Sequence, residues 1–282
     1  MRNIFSLRIN LFILVFLIFI NALAANPGDK FCQLSVSEIN QILTQLQKDC
    51  PDFEDRFRAI TFKRLNTPYS LKPIGDGKCY DPNPVFNIAT TNCTAFILTN
   101  VALASARTYQ QAGSAMAYLN YYPVLSGQDP INYQNRIHYT THRLLTSDYF
   151  YLITDSIANK SEQRTINLVL NRQKNGSHFL PIDWEGNVEL NYIPRENIAK
   201  ETLSRFPAVC GVGIIRKELF EKGIIIGHEG IVIDGEDFIH ASLAAGKVVQ
   251  ENFYSYTQKR RKRDGKFVCD GIVVYKMKEV KE

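Results

Sequence analysis

The chain has 282 residues, of which 45% are hydrophobic and 22% are charged, and this is the composition of an ordinary globular protein. It excludes a disordered chain, a collagen-like chain and a small scaffold held together by many disulfides. The 33 Lys and Arg residues exceed the 28 Asp and Glu residues by a net charge of +5, which is too small to indicate nucleic acid as a partner.

The first 24 residues have the pattern of a secretory signal peptide. Arg2 and Arg8 form a basic start, Leu11 to Ile20 form an apolar run, and Ala-Leu-Ala at 22–24 supplies a cleavage site. A bilayer span needs about 20 apolar residues. We therefore expect cleavage rather than a retained membrane anchor, with no stable membrane insertion afterwards, and a mature protein that is periplasmic or secreted.

Two amphipathic helices are predicted next, and together they form an N-terminal helical segment over residues 25–65. Ser35 and Glu38 have the spacing of a capping box, in which each side chain accepts a hydrogen bond from the other residue's backbone N–H. The apolar residues that follow have helical spacing, at Ile39, Ile42, Leu43 and Leu46. Pro51 suits the first position of a second helix, with a core face formed by Phe53, Phe57 and Ile60.

Residues 66–282 are predicted to form one α+β domain. Residues 66–91 are rich in Pro, Gly, Asp and Asn, which predicts a loop, and the segment from Cys93 to Ala106 is apolar almost all round, which predicts a buried helix. Strand-like runs come later, at Thr165–Leu170, Val188–Ile193, Val212–Arg216, Gly230–Asp234, Phe238–His240 and Phe267–Tyr275. Helices followed by strands predict an antiparallel sheet packed against helices.

Six cysteines follow the signal, at Cys32, Cys50, Cys79, Cys93, Cys210 and Cys269. Disulfides form in exported proteins, so we expect bridges between the first two and between the last two, although spacing alone does not fix the connectivity. Cys79 is the thiol left over. There is no C-x-x-C pair, and only His138 and His142 have the i, i+4 spacing of helical metal ligands. We expect no metal and no cofactor.

Cys93 is the candidate nucleophile because it follows a polar loop and begins the apolar helix. The unpaired N–H groups and partial positive charge of a helix N-terminus favour a thiolate over a thiol. The alternative is a cysteine that serves only as part of an apolar core.

The residues around His228 and His240 predict a β-hairpin with a turn at Asp234-Gly235. A two-residue loop would put the two histidines on opposite faces. A three-residue loop at 234–236 pairs Ile233 with Asp237, and both histidines then lie on one face as diagonal neighbours. We expect the second register, with Gly235 supplying a positive φ.

These parts have natural catalytic roles in hydrolysis of an amide. His228 takes the proton of Cys93, and His240 bonds the other ring nitrogen of His228 and fixes its tautomer. The backbone N–H of Cys93 can donate to the oxyanion.

The pattern resembles the NlpC-type branch of the papain-like cysteine peptidases, which are bacterial cell-wall hydrolases. In that branch a cysteine opens a helix packed on an antiparallel sheet, and the base and a polar third residue lie on neighbouring strands. The resemblance implies a papain-like catalytic domain over residues 66–282, with Cys93, His228 and His240 as the triad. It also makes Tyr69, in the segment Thr67-Pro68-Tyr69, a second oxyanion donor.

The sequence is most similar to the N-acetylmuramoyl-L-alanine amidase-like branch, formerly a domain of unknown function. The similar blocks run from about Phe57 to Tyr275 and are Thr67-Pro68-Tyr69, Cys93-Thr94-Ala95-Phe96, Arg136-Ile137-His138-Tyr139, Gly227-His228-Glu229-Gly230 and His240-Ala241-Ser242. The resemblance implies metal-independent hydrolysis of the amide between N-acetylmuramic acid and L-alanine in peptidoglycan fragments. Asn92 stands where that family commonly has Asp.

Six residues are candidates for substrate binding: Asn92, Thr94, Arg136, Tyr139, Glu229 and Ser242. Arg136 could pair with a carboxylate of the stem peptide or form a buried salt bridge, and Tyr139 could stack on a sugar or belong to the core. Glu229 and Ser242 flank the histidines, so strand alternation points them away from the thiol.

Three alternatives stay open at this point. The same triad would serve a D-glutamyl-diamino-acid endopeptidase, or a secreted papain-like effector acting on a partner protein. A catalytically dead binding module on the same fold would have no chemical reason to keep all three residues. The basic run at 259–263 predicts a solvated hairpin tip or a site for anionic polymers.

Overall fold

The computed structural model describes residues 30–73, 85–122 and 131–281. The predicted signal peptide and Cys79 lie outside these residues. The helices are α1 (Val36–Asp49), α2 (Phe53–Lys63), α3 (Cys93–Ser105), α4 (Tyr109–Asn120), α5 (Thr140–Thr146), α6 (Thr154–Ile157), α7 (Lys200–Leu203) and α8 (Phe253–Gln258). The strands are β1 (Phe150–Leu152), β2 (Arg164–Leu170), β3 (Gly186–Pro194), β4 (Val209–Ile215), β5 (Ile226–Ile233), β6 (Asp237–Ser242), β7 (Lys247–Asn252) and β8 (Gly271–Met277).

The predicted capping box at the start of α1 is confirmed. The Ser35 hydroxyl accepts from the Glu38 backbone N–H at 3.3 Å, and the Glu38 carboxylate accepts from the Ser35 N–H at 2.7 Å. The start predicted for α2 is wrong by two residues, because Asp52 is still extended and helical geometry begins at Phe53. The Arg56 side chain holds the carbonyl of Pro51 from within the helix at 2.5 Å.

An eight-stranded sheet follows the helices, with the order β2-β3-β8-β4-β5-β6-β7 and with β1 also paired to β8. Every pairing is antiparallel, which confirms the predicted α+β class with an antiparallel sheet. The short strand β1 and the charged edge strand β7 escaped prediction, because neither contains an apolar run long enough to stand out.

Helix α3 lies at the centre of the structure and packs against β5 and β6. Every residue from Ala95 to Ala104 is buried, which confirms the predicted central helix. The largest apolar cluster fills the space between the helices and one face of the sheet, and a smaller cluster that includes Val212, Val232 and Val274 covers the other face. The burial of α3 along most of its length fixes the position of this helix relative to the sheet.

The predicted disulfides are wrong, because all five described cysteines are free. Cys32 lies in a 3-10 turn before the 14-residue helix α1, and Cys50 directly follows that helix. Such a helix is about 21 Å long, whereas bridged Cα atoms lie within about 7 Å. Cys210 lies near the start of β4, while Cys269 lies beyond Gly271, which pairs with the last residue of β4. That pair is likewise separated by most of a strand.

None of the helices in the described part of the chain has the length and apolar character needed to cross a bilayer.

Candidate active site

Cys93 is the first residue of α3, and Asn92 caps that helix through its side-chain oxygen, which accepts from the Ala95 N–H at 2.8 Å. Burial, and then the negative charge of Glu229, raise the pKa of the Cys93 thiol to about 11. Hydrogen bonds from the Glu229 backbone N–H and from Thr94 act in the opposite direction. The expected stabilisation of a thiolate by the helix N-terminus is therefore outweighed, and the resting group is a thiol.

The hairpin register that joins the two histidines is confirmed. Ile233 pairs with Asp237, the turn residues Asp234 and Gly235 have φ values of 52° and 71°, and His228 and His240 lie on one face. Nε2 of His228 is 2.9 Å from Nδ1 of His240, which is a hydrogen-bond distance between side chains. Nδ1, the second ring nitrogen of His228, takes no part in this bond.

A β-bulge lies immediately before His228. Ile214 pairs with His228 and Ile215 pairs with Ile226, so Gly227 is the extra residue. Bulges bend a strand locally and re-aim the side chains beside them. A Cβ at Gly227 would lie 2.6 Å from the end of the Leu219 side chain, which would have to move to make room for it.

Aromatic rings hold the histidine pair in place. The His240 ring stacks on Phe238 with centroids 4.5 Å apart, and the edge of Tyr256 packs against it at 5.1 Å. Burial lowers the pKa of His240 to about 4, and Glu251 acts in the opposite direction. Burial, followed by the nearby charges of His240 and Arg216, lowers the pKa of His228 well below its usual value. Both rings are therefore neutral near pH 7.

Glu229, a substrate-binding candidate from the sequence, is instead fully buried behind the site. Its carboxylate accepts from Arg143 at 2.6 Å, from the Thr140 hydroxyl at 2.8 Å and from the Tyr275 hydroxyl at 2.9 Å. Strand alternation places this side chain opposite that of His228, while the Glu229 backbone N–H faces the thiol. The network therefore anchors the strand that carries the histidine.

Tyr69 lies beside the thiol. It forms a bridge with Thr91, two residues before Cys93, and its N–H donates to the Gly246 carbonyl at 2.8 Å. Burial and the charge of the neighbouring Cys93 raise the pKa of the Tyr69 phenol. The phenol is therefore a protonated hydrogen-bond donor near the nucleophile.

Arg136 and Tyr139 line a cavity of about 190 Å³ together with Tyr122 and Trp184. The guanidinium of Arg136 lies 5.4 Å from the centre of the Tyr133 ring. The Tyr139 hydroxyl donates to Asn171 at 2.8 Å and its ring stacks on Trp184 at 5.7 Å, so this tyrosine is largely a packing residue.

The remaining candidates lie close to the site. Thr94 bonds the Cys93 thiol. The Ser242 hydroxyl accepts from the Ala245 N–H at 3.2 Å in the turn after β6 and so shapes the end of the hairpin.

Four residues that support the site could not be predicted from the sequence: Arg143, Tyr275, Glu251 and Lys259. The first two bond Glu229. Glu251 lies 3.6 Å from Nε2 of His240 and is ion-paired with Lys259. Each is distant in sequence from the residue it contacts, so spacing gave no signal. Within residues 30–73, 85–122 and 131–281, no three His, Cys, Asp or Glu side chains are grouped as metal ligands would be.

The fold and the site define a class of α+β protein in which a half-buried cysteine opens a helix beside two hydrogen-bonded histidines of an antiparallel sheet. A family model described as N-acetylmuramoyl-L-alanine amidase-like matches residues 59–265. The chain belongs to this family.

Solved structures share the fold. A Legionella pneumophila protein of the DUF1460 family has a TM-score of 0.67 and 21% identity, with 86% of this chain and 94% of that chain covered. An N-acetylmuramoyl-L-alanine amidase from Bacteroides uniformis has a TM-score of 0.58 and 15% identity, with 80% and 99% covered. A putative xylanase from Bacteroides fragilis has a TM-score of 0.59 and 17% identity, with 78% and 99% covered. No curated protein matches the sequence.

Proposed function

We propose that this protein is an exported cysteine hydrolase of the NlpC-type, papain-like kind, which cleaves the amide between N-acetylmuramic acid and L-alanine in peptidoglycan fragments. The family supports an amidase acting on peptidoglycan. The mechanism rests on one arrangement of three residues. His228 is hydrogen-bonded to His240 at 2.9 Å, and the residue that follows His228, Glu229, bonds the Cys93 thiol through its backbone N–H.

The reaction begins with transfer of the Cys93 proton to Nδ1 of His228 as the sulfur attacks the lactyl carbonyl carbon. The carbonyl π electrons move onto oxygen, and this oxyanion accepts hydrogen bonds from the Cys93 N–H and the Tyr69 hydroxyl. Breakage of the C–N bond returns the proton from His228 to the amine of L-alanine. Water then hydrolyses the thioester by the same route, which releases the muramic acid carboxylate and restores the thiol.

The raised pKa of the Cys93 thiol and the lowered pKa of His228 determine how the first proton transfer occurs. The resting pair is a neutral thiol and a neutral imidazole rather than a preformed ion pair. Proton transfer therefore accompanies attack, and His228 acts as a general base. We expect activity to change little around neutral pH, because the raised pKa of the Cys93 thiol lies above that range and the lowered pKa of His228 lies below it.

The cavity beside Tyr139 fits the substrate proposal. Arg136 offers a guanidinium and Trp184 offers an aromatic surface, which suit the carboxylates and sugar of a muropeptide. Tyr139 is followed by Thr140, whose hydroxyl donates to the Glu229 carboxylate. Glu229 also bonds the Cys93 thiol through its backbone N–H, so it connects the cavity to the nucleophile.

Defined muropeptides test the activity, with products identified by mass. Release of free stem peptide is expected, cleavage within the peptide would replace the proposal with an endopeptidase, and no turnover would reject both. Cys93→Ala should abolish turnover without unfolding the protein, whereas Cys32→Ala, a change at another half-buried free thiol, should not. EDTA should have no effect, and a loss of activity with EDTA would contradict metal independence.

A further inference from the structure

Glu251 lies directly behind His240 on the neighbouring strand. In the β6–β7 register His240 pairs with Val249, so Glu251 is its diagonal neighbour on the same face of the sheet. An oxygen of Glu251 lies 3.6 Å from Nε2 of His240, and the other carboxylate oxygen is ion-paired with Lys259. The chain of contacts that starts at His228 therefore continues beyond His240 to the carboxylate of Glu251 and the ammonium group of Lys259.

Nε2 of His240 needs a partner. It is buried, and the His240 side chain is only 3% exposed, yet no hydrogen bond reaches this nitrogen from the residues that the structure describes. Buried polar atoms are almost always hydrogen-bonded. The ring cannot rotate to find another partner, because Phe238 stacks on its face and Tyr256 packs against it. The Glu251 carboxylate is the group in position to serve.

The carboxylate of Glu251 determines which ring nitrogen of His240 carries the proton. The Glu251 carboxylate is ion-paired with the ammonium group of Lys259, and a carboxylate in such a pair can only accept hydrogen bonds. A lone pair on Nε2 of His240 would face that negative charge, which is unfavourable, whereas an N–H on Nε2 would donate to it. Nε2 therefore carries the proton, and Nδ1 of the same ring carries the lone pair.

We propose that Glu251 is a positioning residue that fixes the tautomers of both histidines by holding the proton on Nε2 of His240. Nδ1 of His240 then accepts from the N–H on Nε2 of His228, and Nδ1 of His228 is left with the lone pair needed to accept the Cys93 proton. This inference rests on the proposed cysteine mechanism for its importance, but the proton positions themselves do not depend on any substrate.

The 3.6 Å separation is longer than the usual N–H···O distance of about 2.9 Å. Catalytic hydrogen bonds are commonly longer in free enzymes and shorten in the reactive complex. Proton transfer to His228 puts a positive charge next to His240, and this charge polarises His240 toward Glu251. The Glu251 side chain is 26% exposed and keeps the freedom to make this small movement.

The first test is nitrogen NMR of the full chain labelled with ¹⁵N-histidine at pH 7, with His240 identified by loss of its signals in His240→Asn. We expect Nε2 of His240 to carry the proton and Nδ1 to be unprotonated. A His240 ring protonated on Nδ1 would overturn the inference. The tautomer is read from the unaltered protein, and the variant serves only to identify which signals belong to His240.

The second test compares Glu251→Ala, Glu251→Gln and the control Glu162→Gln. Glu162 is a carboxylate of similar exposure, ion-paired with Arg205 at a site remote from the histidines. We expect Glu251→Ala to lose the single His240 tautomer and to lower kcat about tenfold or more with KM nearly unchanged, by analogy with other groups that orient a histidine. Glu251→Gln keeps an accepting oxygen and should recover the tautomer and most of kcat.

An unchanged tautomer and an unchanged kcat in Glu251→Ala would overturn the inference, as would an equal loss in Glu162→Gln. Failure of the proposed function has a different signature. If the unaltered protein cleaves no muropeptide, the amidase proposal fails, and the NMR result together with the rate of Cys93 alkylation by iodoacetamide still decides the role of Glu251.

Discussion

The buried ion pair between Glu229 and Arg143 allows a quantitative prediction from the change Glu229→Gln. Both side chains are 1% exposed, and their N–O distance is 2.6 Å. Two further nitrogens of Arg143, Nε and Nη1, are buried without a hydrogen-bond partner in the described chain. Removal of the Glu229 charge therefore leaves a guanidinium in the interior with no anion beside it.

Breaking a buried ion pair by neutralising one partner costs about 3–5 kcal/mol of unfolding free energy. We expect this range for Glu229→Gln, because the glutamine oxygen still accepts one hydrogen bond but carries no charge. For a chain of this size each kcal/mol lowers Tm by about 2–4 °C, so Tm should fall by roughly 6–20 °C. The pair of Glu162 with Arg205 lies at the surface, where solvent screens its charges and it contributes little to stability, which makes Glu162→Gln the matched control.

Urea denaturation measures the stability, and the rate of alkylation of Cys93 by iodoacetamide provides an independent readout. The Glu229 charge raises the pKa of the Cys93 thiol. Its removal lowers that pKa, so the thiolate fraction at pH 8 rises and the folded variant should alkylate faster. A variant that is less stable but has a more reactive thiol is the combined expectation.

A double-mutant cycle with Arg143→Met tests the cause. Arg143→Met should cost less in the Glu229→Gln background than alone, since no unpaired charge is then left behind. Strictly additive losses, or a loss below about 1 kcal/mol in Glu229→Gln, would refute the reasoning.

Three further predictions concern the hairpin and the cysteines. The pKa of His240 is lower in the folded chain than its usual 6.5, so its contribution to stability should be complete above pH 6.5 and fall as the pH drops toward 4, by up to about 3 kcal/mol. Urea titrations of His240→Asn should lose this contribution and keep the one from His228, whose pKa is also lowered. A Cβ at Gly230 would lie 2.5 Å from the Phe238 ring and 2.8 Å from Cβ of His240. Gly230→Ala should therefore displace His240 and reduce kcat at least tenfold. An unchanged kcat would show that Gly230 does not pack against His240 in this way. Thiol titration in denaturant should find at least five free thiols, with no change of Tm on adding reductant, and a lower count would contradict the structure.

Local signals in the sequence were sufficient for the elements whose geometry depends on neighbouring residues. The Ser35 capping box and the turn at Gly235 each involve residues within a few positions, and the hairpin register follows from loop length alone. That register brings His228 and His240 together, so the histidine pair could be predicted from sixteen residues of sequence.

Features that depend on distant contacts could not be predicted in the same way. The interior position of Glu229 depends on contacts from distant parts of the chain, with Thr140 and Arg143 on α5 and with Tyr275 on β8. The expected bridge between Cys32 and Cys50 failed because spacing ignores the length of the helix between them. The thiol pKa also depends on burial, which the sequence of a helix N-terminus does not reveal.

The protonated state of Cys93 has a consequence for its oxidation. Peroxides and disulfides react with thiolates, not thiols. A thiol with a pKa of about 11 is ionised in only about one molecule in 10⁴ at pH 7. The nucleophile therefore oxidises slowly and exchanges slowly with disulfides while the site is empty. His228 removes the proton only as a carbonyl is attacked, so the cysteine reacts slowly in the free protein and becomes a strong nucleophile only when a substrate is bound.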